Sequence, residues 1–159
     1  MRKGQQKILK IPSILPKTKM KYEELTHKII ACAYKVFNTL GFGFLETVYH
    51  KALLIELRKA GLRTESEKAL KVYYDSEVVG DFSADLFVED EIILELKSVE
   101  KLSKAHEVQL VNYLTALRKD VGLLINFGPT GVIVKRKYRR AIGQDQPQYD
   151  PEDLRGRQD

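Results

Sequence analysis

The spacing of apolar residues changes period along this chain, and each change marks a predicted element. From Tyr22 to Leu40 apolar residues recur at steps of three and four, the period of an amphipathic helix that Gly41 is expected to end. A second helix is predicted from about Leu45 to Ala60, with Gly61 as its stop. A third is predicted from about Ser103, as its N-cap, to Arg118.

Between the second and third helices the period becomes that of strands. The segments "ALKVYYD", "EVVGDFSADLFVE" and "EIILELKSV" are rich in β-branched and aromatic residues and predict an antiparallel meander. Two further strands, "VGLLINF" and "GVIVKRKY", follow the third helix. Because that helix is long enough for a crossover, the strands on either side of it should be parallel. The order predicts an α/β or α+β domain with a mixed β-sheet; of the two we expect an α/β fold, with the sheet flanked by helices.

The 159 residues suit one domain with tails. We predict a basic N-terminal arm over 1–20, a domain over 21–140 and a disordered tail over 141–159. Residues 1–21 carry seven Lys/Arg and no Asp/Glu, whereas 22–134 have a net charge of −4, so the overall +5 comes from the ends. Those ends either attract phosphate or are merely solvated.

The composition also excludes several classes of site. Cys32 is the single cysteine, which excludes an internal disulfide and a four-cysteine zinc or iron–sulfur site. The sequence has no apolar run of about eighteen residues, so no membrane span is predicted. We therefore expect a cytoplasmic protein with no membrane partner.

Three ionisable residues stand in unusually apolar strands. Glu95 and Lys97 interrupt the run "IILELK" and, being two apart, share a face; Asp85 lies in the strand before. With a two-residue "ED" turn, Val88 would face Glu91, and Asp85 would lie opposite about Leu94, diagonal to Glu95 within one residue of register.

A divalent cation, Mg²⁺ or Mn²⁺, would explain these buried charges. Asp85, Glu95 and the backbone carbonyl of Leu96 would be its ligands, and Lys97 would assist a metal-activated water and stabilise charge on a phosphate. The alternative is an ordinary Lys–Glu pair on a half-exposed strand.

The arrangement resembles the PD-(D/E)xK nuclease superfamily. Asp85 followed by Glu95-x-Lys97 is similar to its core motif, with Ala84 in place of the proline. The segment "GFLETVY", residues 43–49, is similar to the motif that names the GxxExxY family, and the resemblance extends over residues 22–134. Family members often carry a basic residue where this chain has Ser83.

The resemblance also implies roles for helical residues. Gln109 and Tyr113 have the Gln-x-x-x-Tyr spacing of RecB-like nucleases and would contact substrate or order a water; alternatively Tyr113 is core and Gln109 surface. Glu46 would be catalytic or an additional metal ligand, or simply a favourable charge at a helix start. Tyr49 would pack or contact substrate.

The implied function is a metal-dependent nuclease that hydrolyses DNA phosphodiester bonds. The alternatives are an inactive nucleic-acid- or protein-binding module on the same fold, or a hydrolase of RNA or a small molecule. The oligomeric state stays open, with a homodimer as one option. The basic segment "VKRKYRR", 134–140, would either grip nucleic acid or protect an edge strand with charge.

Overall fold

The computed structural model describes residues 17–140, with side chains from residue 22 onward. The tail predicted for 141–159 and most of the predicted arm lie outside these residues. The elements in chain order are α1 (Lys17–Leu40), α2 (Glu46–Lys59), β1 (Thr64–Tyr74), β2 (Glu77–Val88), β3 (Ile92–Lys97), α3 (Lys104–Leu117), β4 (Val121–Gly128) and β5 (Gly131–Tyr138).

All five described strands form one mixed sheet in the order β1-β2-β3-β4-β5. The pairs β1–β2, β2–β3 and β4–β5 are antiparallel, whereas β3 and β4, which α3 connects, are parallel. The predicted mixed sheet flanked by helices and its parallel central pair are confirmed. The two central strands are almost wholly buried, as expected for strands covered by helices on both faces.

The helices form two layers because residues of β3 alternate between the faces of the sheet. Ile92, Leu94 and Leu96 belong to the core beneath α1 and α2. Ile93 points the other way, into a smaller core with Leu110 of α3. All five are fully buried, and each such side chain contributes about 1.5–3 kcal/mol through burial.

The helix ends follow the predicted stops closely. Gly41 takes a left-handed φ of 71°, and its N–H donates to the Phe37 carbonyl at 2.7 Å, which closes the last turn of α1. Helix α1 begins at Lys17, before the predicted Tyr22. The sequence before Tyr22 has no apolar period, so the pattern could not predict this first part of the helix. Ser103 is the N-cap of α3 as predicted, and its N–H donates to His106 Nδ1 at 3.3 Å.

The predicted register between β2 and β3 is wrong by one residue. Val88 pairs with Ile92 rather than Glu91, and Leu86 pairs with Leu94. Glu89 and Asp90 both adopt positive φ, and the Glu91 N–H donates to the Val88 carbonyl at 3.0 Å. Glu91 is therefore an additional residue beside the turn, and this bulge shifts the pairing.

In the described part of the chain, no helix combines the length and apolar character that crossing a bilayer demands.

Candidate active site

The site begins where β2 separates from β3. Their ladder ends at the Leu86–Leu94 pair, so the next step brings Asp85 towards Glu95 rather than opposite Leu94. Asp85 Oδ2 accepts the Leu96 N–H at 2.7 Å, taking the place of a backbone carbonyl. Because a strand residue directs its N–H and C=O to the same side, the Leu96 carbonyl also faces the gap beside Asp85.

A distortion of β1 lies opposite this separation. Glu67 has a φ of 54°, a conformation that reverses the ordinary alternation of a strand. As a result Ser66 contacts His50 on α2, whereas Lys68 lies 4.5 Å from the Phe87 ring centroid in the α3 layer. Asp85 would be the partner of Glu67 in the β1–β2 register, so it lies where the hairpin changes direction.

Glu95 is the most deeply buried acidic residue of the site, with 7% of its surface exposed. Burial raises the pKa of its carboxyl to about 8; the neighbouring Asp85 charge adds to this, while Lys97 and the Asp85 N–H oppose it. Among the described residues, no hydrogen-bond partner reaches Glu95 Oε1, which is itself inaccessible to solvent. A buried carboxylate oxygen without a partner is costly, and a cation would remove that cost.

Glu46 is the first residue of α2 and completes an acidic group with Asp85 and Glu95. Burial raises its pKa, Lys97 lowers it, and Asp85 raises it, so these side chains are within electrostatic range of one another. The helix N-terminus favours negative charge at this position. Helix-dipole stabilisation and a role in the site are therefore both compatible with its placement.

The backbone just after Lys97 is held by a residue that the sequence pattern did not single out. Asn126 of β4 pairs with Lys97 in register and is fully buried. Its amide donates to the Val99 carbonyl at 2.8 Å and accepts the Val99 N–H at 3.0 Å. These two bonds fix the chain that leaves β3. An asparagine inside the apolar segment "LLINF" was the available signal.

Gln109 and Tyr113 share one face of α3, as their spacing predicts. Gln109 Nε2 donates to the Tyr113 hydroxyl at 2.7 Å. Burial raises the Tyr113 pKa, and Glu95 and then Asp85 are among the charges that act on it. Tyr113 is also part of the smaller core, so it joins that core to the acidic residues.

Tyr49 lies in the interior rather than at a surface. It is fully buried, and its ring stacks on Phe127 with the centroids 4.5 Å apart. Its hydroxyl donates to the Gly41 carbonyl at 2.5 Å and accepts the Phe44 N–H at 3.4 Å. This placement favours the packing alternative, in which Tyr49 holds the loop before Glu46.

Other ionisable residues of α1, α2 and the basic segment have structural positions. His50 Nε2 is 2.8 Å from Ser66 Oγ, and Cys32 is buried in α1. In the basic segment 134–140, Lys135 and Lys137 form ion pairs with Glu107 at 3.7 and 2.5 Å. These pairs on edge strand β5 tie it to α3.

The oxygen atoms around Asp85 and Glu95 are the donors that a divalent cation would need. Within residues 17–140 no three His, Cys, Asp or Glu side chains converge closely enough to hold an ion alone. Asp85, Glu95 and the Leu96 carbonyl instead form the smaller protein set that Mg²⁺ accepts, since it keeps several waters. With the unpartnered Glu95 oxygen, this set fits a hard divalent ion.

Comparison with known proteins gives a family and a few solved structures. A family model described as the PD-(D/E)XK nuclease superfamily matches residues 23–141. Three chains of solved structure match, among them that of "Crystal structure of SSO0001", with 17% identity and a TM-score of 0.48. That alignment covers 78% of this chain and 63%, less than two thirds, of the other. No curated protein matches.

Proposed function

Because this chain belongs to the PD-(D/E)XK nuclease superfamily, we propose that it is a Mg²⁺- or Mn²⁺-dependent nuclease that hydrolyses DNA phosphodiester bonds. Within the superfamily we assign it to the GxxExxY group, on the "GFLETVY" segment that contains Glu46 and Tyr49. The observation that carries the proposal is the unpartnered, buried Oε1 of Glu95 beside Asp85.

The charge of the site supports the cation requirement. Among the described residues, Asp85, Glu95 and Glu46 face one ammonium, that of Lys97, so the fully ionised group is electronegative and would repel a phosphate. Asp85, Glu95 and the Leu96 carbonyl would hold the ion, and Glu46 would be a further ligand or would hold a water beside it. The bound ion would supply the activated water and offset the negative charge of the phosphate.

The chain's own residues would then have distinct tasks. Lys97 would donate a hydrogen bond to a phosphate oxygen as charge develops, and Asn126 keeps the following backbone in place. Glu46 would accept a proton or orient a water, since its pKa is raised by burial. Gln109 and Tyr113 would orient the substrate from the α3 side.

The first experiment is a cleavage assay of purified protein on DNA with Mg²⁺ or Mn²⁺. We expect Lys97→Ala and Glu95→Gln to lower kcat about 10²-fold or more, because transition-state stabilisation or the ion is lost. Lys101→Ala is the matched control, since Lys101 is an exposed cation just beyond the site. Absence of cleavage by the wild type, or unchanged cleavage by both variants, refutes hydrolysis here.

A second experiment separates ion binding from catalysis. Mn²⁺ should raise the melting temperature of the wild type, because a ligand bound only by the folded state stabilises it. Asp85→Asn should abolish the shift while keeping the fold, since the Asn carbonyl can still accept the Leu96 N–H. An identical shift in this variant would show that the ion binds elsewhere.

A further inference from the structure

The first observation concerns the ring of Phe44, on the loop that leads into Glu46 and α2. Its surface is 47% exposed, yet its position is fixed. Its N–H donates to Tyr49, its carbonyl accepts the Ser98 hydroxyl at 2.9 Å, and its ring meets Tyr49 edge-on with the centroids 6.3 Å apart. Phe44 thus stands between Glu46 and the residue that follows Lys97.

The second observation concerns the ring of Phe82, on the side of the sheet that α3 covers. It is 41% exposed and lies three residues before Asp85 on β2. Its centroid is 5.2 Å from that of Tyr113, which is in turn hydrogen-bonded to Gln109. Like Phe44, it is an exposed aromatic side chain held by a residue adjoining the acidic group.

The charge of the surrounding surface bears on which nucleic acid these rings would meet. Duplex binding depends on many Lys/Arg–phosphate contacts. Residues 22–140 have a net charge of +1, because basic residues gather on and just after β5. The hairpin that bears Phe82, residues 64–88, is acidic, with six Asp/Glu, among them Asp75, Glu77 and Asp81, against two Lys. A base can stack on an aromatic ring without a nearby cation, whereas a duplex backbone needs cations to meet its phosphates. An acidic surface therefore suits base stacking better than duplex binding.

We infer that Phe44 and Phe82 form a base-stacking subsite that holds unpaired nucleotides on either side of the scissile phosphate, so that the substrate is single-stranded DNA. This inference rests on the proposed nuclease function and adds the strandedness of the substrate. Paired bases cannot present their faces to two rings from different layers without leaving the helical stack. Stacking also predicts little sequence preference, since every base has a π-face.

The test measures the affinity of full-length protein for a fluorescein-labelled single-stranded oligonucleotide and for its duplex, by anisotropy in Ca²⁺. We expect Phe44→Ala and Phe82→Ala each to weaken single-strand binding by about 5- to 100-fold, the usual effect of removing one stacked ring. Phe44→Leu and Phe82→Leu, which keep apolar volume, should show most of the loss. They also guard against unfolding of the alanine variants.

Tyr74→Ala is the matched control. Tyr74 is a 71% exposed aromatic residue on the same hairpin as Phe82, but at its tip. It should leave binding unchanged. An abasic nucleotide that faces Phe44 should weaken wild-type binding and should add little to the loss in Phe44→Ala, because both remove the same contact.

The outcomes separate this inference from the proposed hydrolysis. Ring-dependent single-strand binding without cleavage by any metal would support the subsite and refute the hydrolysis. Cleavage of duplex at least as fast as single strand, with both leucine variants unaffected, would overturn the subsite and leave the hydrolysis intact. Failure of the wild type to bind single-stranded DNA would overturn the subsite directly.

Discussion

Replacement of Glu95 by glutamine should stabilise the metal-free protein, and by an amount that grows with pH. The pKa of this carboxyl rises from 4.5 to about 8 on folding, first through burial and then through Asp85. Below pH 4.5 the group is neutral in both states and costs nothing. As pH rises through the window from 4.5 to about 8, the carboxyl ionises first in the unfolded chain, so the folded state loses stability relative to the unfolded state.

The size of the effect follows from the two pKa values. Each pKa unit corresponds to about 1.4 kcal/mol, so the free energy of unfolding of the wild type should fall by about 1.4 kcal/mol per pH unit across the window. Relative to the glutamine variant, the deficit should be about 3 kcal/mol at pH 7 and level off near 5 kcal/mol above pH 8. Glutamine carries no charge, so its curve lacks this component.

The assay is urea unfolding, followed by circular dichroism, between pH 5 and 9 in a chelator. Saturating Mn²⁺ should flatten the wild-type curve, because the ion favours the ionised carboxylate, and should leave Glu95→Gln nearly unchanged. Glu107→Gln is a control of opposite sign. Burial raises the Glu107 pKa, but Lys137 and Lys135 lower it by more, so the net pKa is below 4.5. The contribution of Glu107 to stability is therefore lost only as pH falls below about 4.5.

A constant difference between wild type and Glu95→Gln from pH 5 to 9 would refute the reasoning. So would a wild type that gains stability, relative to the variant, as pH rises. Either result would mean that Glu95 is ionised at little cost without an ion, and the main support for a cation at this position would disappear.

Three further predictions concern the framework of the site. Tyr49→Phe should lower the free energy of unfolding by about 1 kcal/mol in urea titrations, because the hydrogen bond to Gly41 is lost while the ring stays; no change would mean that water replaces it. Leu53→Ala, in the core beneath α2, should cost about 2–5 kcal/mol by the same measurement, and a loss below 1 kcal/mol would contradict close packing there. Asn126→Ala should cost about 1–3 kcal/mol and lower kcat for DNA cleavage, since the Val99 backbone loses both partners; stability lost with kcat intact would show that Lys97 does not depend on this anchor.

Local pattern was enough to predict most of the architecture. The apolar stripe of α1, the stop at Gly41 and the third helix between two buried strands all depend on neighbours in the sequence. They were therefore visible without the fold. The parallel β3–β4 pair followed from the length of that crossover.

Features set by tertiary context were not predictable. The bulge at Glu91 arises from two left-handed residues in the turn, and the sequence "VEDEI" also permits a plain two-residue turn. The hydrogen bonds between Val99 and Asn126 join residues 27 positions apart, so no local sequence period predicts them. That Tyr49 packs inward depends on Phe127, which lies on a strand far along the chain.

Asp85 and Glu95 are unequal as markers of activity in related chains, because only Asp85 accepts a backbone hydrogen bond, from the Leu96 N–H. An enzyme that decayed into a passive binder would still need an acceptor for the Leu96 N–H, so Asp or Asn would be kept at position 85 for structural reasons. A glutamate at position 95 has no such structural role, because a neutral residue there would make the inactive protein more stable. Retention of glutamate at 95 is thus the more informative sign of a working site.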